Sequence, residues 1–69
     1  MKFRFYSKQE LAMLYFPDSD PHAAVMKLML WIRRNKELTA ALETTHMSRY
    51  AKVFTPKQVK LIVEYLDEP

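Results

Sequence analysis

With 69 residues and a mass of 8.3 kDa, the chain has room for one small domain, which we expect to span residues 1–69. The chain contains no cysteine and no glycine, which excludes disulfides, thiolate metal sites and glycine-dependent phosphate loops or nucleophile elbows. The two histidines, His22 and His46, lack the spacing of a ligand pair. We therefore expect that the protein is not an enzyme and binds neither a metal nor another cofactor. The sequence indicates no small-molecule substrate.

The charge balance is mildly basic, with 11 Lys and Arg against 8 Asp and Glu and a net charge of +3. The first eight residues contain no apolar segment of the kind that signal peptides carry. The apolar run Leu28–Ile32 is too short to span a bilayer. These observations predict a cytoplasmic protein without a membrane partner.

The N-terminal region combines an alternating segment with a helix start. Residues 2–6 alternate basic and aromatic side chains, which predicts a short β-strand. Ser7 and Glu10 have the spacing of a capping box, with Tyr6 and Leu11 as its flanking apolar pair. The first predicted helix runs from Lys8 to Tyr15 or Phe16, and Pro17 ends it.

The second predicted helix runs from Pro21, after the capping residue Asp20, to about Arg34. We expect Trp31 to be buried in the core rather than to stack on a nucleic-acid base. Met26 and Leu30 lie outside the main apolar arc, among basic residues. Either another element covers these two side chains, or they form an exposed contact patch ringed by basic groups.

The remaining sequence predicts two further helices and a second strand. Asn35 is the capping residue of the third helix, and Thr55 and Gln58 repeat the capping box before the fourth. Each capping box follows a candidate strand, so we expect the two strands to pair, with the helices packed on one side. The predicted ranges are Lys36 to about Thr44 for the third helix, Tyr50–Phe54 for the strand and Pro56 to about Leu66 for the fourth helix.

Several of these segments together resemble a small uncharacterised bacterial family, a domain of unknown function. The resemblance covers nearly the whole chain, although Asp67 stands where the pattern leads us to expect glycine. It implies no known activity. The segments that carry it are Tyr6–Ala12, Tyr15–Pro17, Leu28 with Trp31 and Ile32, Phe54–Val59, and Ile62 with Leu66–Pro69.

A second resemblance concerns architecture. The helix start at Ser7–Ala12, followed by a turn and a second helix, is similar to the opening helix-turn-helix of MerR and excisionase-type regulators. Arg49–Thr55 resembles the wing of those proteins. This resemblance implies a mainly α, winged helix-turn-helix-like domain with three to four helices and a short two-stranded ribbon, in which the second helix is the recognition helix.

Two functions are consistent with these features. The first is DNA or other nucleic-acid binding in a regulatory or accessory role, with contacts from His22, Lys27, Arg33, Arg34, Lys36, Arg49 and Lys52. The second is a protein–protein interaction module or homodimer that uses Met26, Leu30, Leu61 and Tyr65. Burial of Met26 and Leu30 with convergent basic groups would favour DNA, whereas their exposure would favour a protein partner.

Overall fold

The computed structural model describes residues 1–47 and 51–69. Within these residues the chain forms four α-helices and one two-stranded antiparallel ribbon, which confirms the mainly helical domain predicted from the sequence. None of these helices is long and apolar enough to cross a membrane. In chain order the elements are β1 (Tyr6–Ser7), α1 (Lys8–Tyr15), α2 (Pro21–Arg34), α3 (Lys36–Glu43), β2 (Val53–Phe54) and α4 (Pro56–Leu66).

Both capping boxes are present and set the starts of α1 and α4. Ser7 Oγ accepts a hydrogen bond from the Glu10 N–H at 3.0 Å, and Glu10 Oε1 accepts one from the Ser7 N–H at 2.9 Å. Thr55 and Gln58 make the same pair of bonds at 3.2 and 2.9 Å. Each box satisfies backbone donors that have no partner within the helix, so these helices begin where the sequence predicts.

Single side-chain caps start the other two helices. Asp20 Oδ1 accepts the Ala23 N–H at 3.0 Å, at the start of α2. Asn35 ends α2 and begins α3, because its Oδ1 accepts the Leu38 N–H at 2.9 Å. The predicted α2 is confirmed from end to end, and α3 ends at Glu43, one residue earlier than predicted.

The hydrophobic core lies between the four helices and the ribbon. Both apolar pairs that flank the capping boxes are buried, so each box also anchors its helix to the core. Helix α1 packs against α2, and α2 contacts α3 and α4. The buried apolar residues are Tyr6, Leu11, Ala12, Ala24, Leu28, Ile32, Leu38, Leu42, Phe54, Val59 and Ile62.

The two strands pair as predicted, with Tyr6 opposite Phe54 and Ser7 opposite Val53, but the ribbon is shorter than predicted. Of the predicted strand Tyr50–Phe54, only Val53–Phe54 is strand, and Tyr50 lies outside the described residues. The predicted strand over residues 2–6 is wrong except at Tyr6. The Tyr6 hydroxyl donates to the carbonyl of Lys2 at 3.0 Å, so this segment folds back on Tyr6 instead of extending beside β2.

Trp31 is not a core residue, and the prediction that it is buried is wrong. Its side chain is 42% exposed, while Leu28 and Ile32 occupy the buried positions of α2. Trp31 lies at the edge of the apolar arc, against the rings of Phe16 and Tyr15 at the end of α1. These two rings cover only part of the indole, and the rest of it is exposed to solvent.

The chain leaves α4 through a residue with an unusual backbone conformation. Asp67 has φ 67° and ψ 171°, in a region that is essentially restricted to glycine. The Tyr15 hydroxyl donates a hydrogen bond to the Asp67 carbonyl at 2.6 Å, which ties the end of α4 to the end of α1. This conformation accounts for the glycine expected at this position.

Candidate functional site

The solvent-facing side of α2 carries two large apolar side chains. Helix α2 buries Ala24, Leu28 and Ile32, which follow one another at four-residue intervals on one face. Met26 and Leu30 lie on the opposite side and are 59% and 41% exposed. Within the described residues no helix or strand covers these two side chains. Of the two alternatives predicted from the sequence, coverage by another element is therefore wrong and an exposed patch is correct.

Basic residues lie on the same helix as these two side chains. Helix α2 contains Lys27, Arg33 and Arg34 but no acidic residue. Both arginines are exposed in its last turn, where the helix dipole favours positive charge. We define the α2 outer face by His22, Met26, Leu30, Arg33 and Arg34.

Acidic side chains lie at the opposite end of α2 from these arginines. Asp18 and Asp20 are both exposed and lie within the three residues that precede the helix. Asp20 also caps the helix through its Oδ1. The α2 region is therefore acidic at its start, apolar in its middle and basic at its end.

The predicted nucleic-acid contacts are only partly brought together. Arg33, Arg34 and Lys36 are exposed around the junction between α2 and α3. The other described candidates lie elsewhere: His22 is in the first turn of α2, Lys27 beside the turn between α1 and α2, and Lys52 next to the ribbon. Arg49 lies outside the described residues.

Lys27 is engaged in a local contact. Its Nζ donates a hydrogen bond to Ser19 Oγ at 2.7 Å and lies 5.7 Å from the centre of the Phe16 ring. This contact directs the ammonium group towards the turn between α1 and α2. Lys27 therefore stabilises that turn and is not grouped with the arginines at the other end of the helix.

The two α4 residues predicted for a protein interface differ in exposure. Leu61 is half-buried and packs against the core. Tyr65 is exposed. Of the four residues predicted for a protein interface, Met26, Leu30 and Tyr65 are therefore exposed and Leu61 is not.

A second feature, which the sequence analysis missed, lies at the C-terminal end of α2. Here Trp31 borders an open cavity of about 550 Å³, which we call the Trp31 cavity. The helix ends three residues after Trp31, at Arg34, and is followed by Asn35. The short distance from Trp31 to this helix end is the sequence signal that could have indicated an incompletely covered ring. The cavity is lined by Trp31, Arg34, Asn35, Lys36, Glu37 and Leu66.

The perturbed titratable groups belong to structural contacts. The pKa of Tyr15 is raised to about 12, mainly by burial and further by the negative charges of Asp67 and Glu68. The hydrogen bond from the Ser7 backbone lowers the pKa of Glu10. Burial lowers the pKa of Lys8.

Across residues 1–47 and 51–69, no three His, Asp or Glu side chains are grouped closely enough to hold a metal ion.

Comparison with known proteins identifies a family. Residues 2–69 match the family described as "Domain of unknown function (DUF4248)". No curated protein and no solved structure matches the chain.

Proposed function

The chain belongs to this family of unknown function, and we propose that it is a protein-interaction module that pairs with a second copy of itself through the α2 outer face. The observation that carries this proposal is the exposure of Met26 and Leu30 in the middle of α2. Contact with another protein would remove both side chains from water, at roughly 25 cal/mol per Å² of apolar surface buried.

The composition of the α2 outer face supports a contact surface. Methionine and arginine are enriched at the centres of protein interfaces, whereas lysine, glutamate and aspartate are depleted there. The face combines Met26, Leu30 and the two arginines without any acidic residue. Methionine also adapts easily to the shape of a partner because its side chain is unbranched and flexible.

The charge distribution along α2 makes this surface complementary to itself. In an antiparallel pair, Met26 of one copy would face Leu30 of the other. The same arrangement would place Arg33 of each copy opposite Ala23 of the other, three residues along the chain from Asp20 and five from Asp18. A symmetric dimer contains this attraction between opposite charges twice, and the antiparallel helix dipoles add to it.

The size of the surface limits the expected affinity. One face of a 14-residue helix is smaller than the roughly 800 Å² per partner of a standard protein interface. We therefore expect a concentration-dependent dimer with a dissociation constant on the order of micromolar.

Sedimentation equilibrium tests the apolar part of this surface. Leu30→Glu places a charge at the centre of the contact, so the variant should be a folded monomer at concentrations where the wild type associates. Leu14→Glu is the matched control, because Leu14 is similarly exposed but lies on α1. A wild-type protein that remains monomeric at high concentration, or equal effects of the two variants, would contradict the proposal.

A charge exchange tests the antiparallel arrangement. Asp18→Arg and Arg33→Asp should each weaken self-association, because like charges then meet twice in each homodimer. An equal mixture of the two variants should form a heterodimer in which both contacts again join opposite charges. If the mixture associates no better than either variant alone, the antiparallel arrangement is wrong.

Nucleic-acid binding is the second candidate function. It is favoured by the exposure of Arg33, Arg34 and Lys36 around one helix junction, where no described carboxylate lies within ion-pair distance of them. Three phosphate contacts would give a slope of about −2.7 for log affinity against log salt on duplex DNA. Replacing both arginines by alanine should flatten that slope by about 2. Absence of DNA binding at low salt would eliminate this candidate.

A further inference from the structure

Trp31 is held in a defined orientation although much of its ring is exposed. The Phe16 ring lies 4.7 Å from it, measured between centroids, at an interplanar angle of 70°. The Tyr15 ring lies 6.5 Å away at 76°. Both contacts are edge-to-face, so neither ring lies parallel to the indole. These contacts orient the indole before any ligand arrives, which reduces the entropy that binding would cost.

Two cations lie beside this ring. Arg34 at the end of α2 and Lys36 at the start of α3 line the Trp31 cavity and are both exposed. Glu37 is the acidic residue of the cavity lining. The cavity lining therefore combines an oriented aromatic ring with two cationic side chains and one acidic side chain, and Asp67 and Glu68 follow the lining residue Leu66.

We propose that the Trp31 cavity binds single-stranded nucleic acid, with a base stacked on the Trp31 indole and the adjoining phosphates at Arg34 and Lys36. Stacking platforms beside basic side chains bind single strands with little sequence preference, because every base has an aromatic face. A duplex does not offer this contact, since its bases are already stacked. This site is distinct from the apolar centre of the α2 outer face and does not require self-association.

The start of α2 is consistent with such a mode of binding. The residues that follow Pro21 are His22, Ala23 and Ala24, which provide few groups for reading base edges in a duplex. Stacking needs no such groups. The open shape of the cavity also suits a strand that continues beyond the bound nucleotide.

The fluorescence of Trp31 tests the proposal directly, because it is the only tryptophan in the chain. Titration with an oligothymidylate of about ten nucleotides should quench its emission in a saturable, salt-sensitive manner. A duplex of the same length should cause much less quenching. Absence of quenching at low salt, or equal quenching by the duplex, would overturn the proposal.

Variants identify the contributing groups when binding is followed by the anisotropy of a labelled oligothymidylate. Trp31→Leu should weaken binding by about ten- to a hundredfold, as expected for loss of one stacked base. Trp31→Phe retains an aromatic ring and should bind with intermediate affinity. Circular dichroism of each variant establishes that it is folded. Folded Trp31→Leu protein that binds as tightly as the wild type would contradict the stacking contact.

Neighbouring arginines provide a matched charge control. Arg34→Gln should weaken binding several-fold and reduce its salt dependence, whereas Arg33→Gln should have a smaller effect because Arg33 does not line the Trp31 cavity. Equal effects of the two would contradict this site. Met26→Glu should disrupt self-association, but position 26 lies about two helical turns from Arg34. This variant should therefore retain oligonucleotide affinity, so failure of self-association and failure of this site are distinguishable. Quenching by an acidic peptide containing tyrosine, with none by the oligonucleotide, would assign the cavity to a protein ligand instead.

Discussion

Replacing Asp67 by glycine should stabilise the domain by about 1 kcal/mol. The φ of 67° and ψ of 171° place Asp67 where a side chain clashes with the backbone, at a cost of about 1–3 kcal/mol. Glycine removes this cost. It also increases the conformational entropy of the unfolded chain, which destabilises the folded state by up to about 1 kcal/mol. The relief of backbone strain exceeds the entropy cost, so the glycine variant should be more stable than the wild type.

Two features of the structure isolate this backbone effect. The Tyr15 hydroxyl bonds the carbonyl of Asp67, which the substitution leaves in place. Asp67→Ala removes the same carboxylate as Asp67→Gly but keeps the Cβ atom that causes the clash. Alanine should therefore produce none of the gain that comes from relief of the strained conformation.

Thermal unfolding followed by circular dichroism measures the difference. In a domain of this size, about 1 kcal/mol corresponds to a shift of roughly 4–8 °C in the midpoint. We expect the midpoint of Asp67→Gly to rise by that amount relative to both the wild type and Asp67→Ala. An unchanged or lower midpoint for the glycine variant would refute the reasoning, and an equal rise for alanine would attribute the gain to charge instead.

Three further predictions concern named side chains. Ser7→Ala and Thr55→Ala should each cost roughly 0.5–2 kcal/mol by removing a cap, and unchanged thermal midpoints in both would contradict that role. Because Trp31 is 42% exposed, iodide should quench its fluorescence strongly in the folded protein; shielded emission would indicate a buried ring. Folding raises the pKa of Tyr15 from its ordinary value of 10.0 to about 12, so the stability this group provides is present below pH 10 and is lost as the pH rises towards 12. Tyr15→Phe should reduce this alkaline loss of stability in urea unfolding, and an unaltered pH profile would exclude the contribution.

The sequence predicts the helix starts accurately because they depend on local chemistry. A capping box is complete within four residues, so Ser7 with Glu10 and Thr55 with Gln58 identify the starts of α1 and α4 without reference to the rest of the fold. The strand pairing is also predictable, because the same pattern of aromatic residue and cap occurs twice.

The candidate surfaces are less predictable because they depend on what covers each face of α2. A helical wheel groups Trp31 with Leu28 and Ile32, but it does not show that the rings beside Trp31 leave much of it exposed. Nor does it show whether another element packs over Met26 and Leu30. Both questions concern tertiary contacts, which periodicity alone leaves undetermined.

The α2 outer face can be tested most directly by following the methionine methyl groups by NMR as the protein is diluted. The wild type is labelled with ¹³C at the methionine methyls, and each methyl shift is recorded over a dilution series. The account predicts that the Met26 methyl, which is 59% exposed, shifts with concentration and that this dependence disappears in Leu30→Glu. The methyl of Met13, which packs against the core from α1, should remain constant. A Met26 signal that does not change up to millimolar concentration would contradict the claim that this face pairs two copies of the chain.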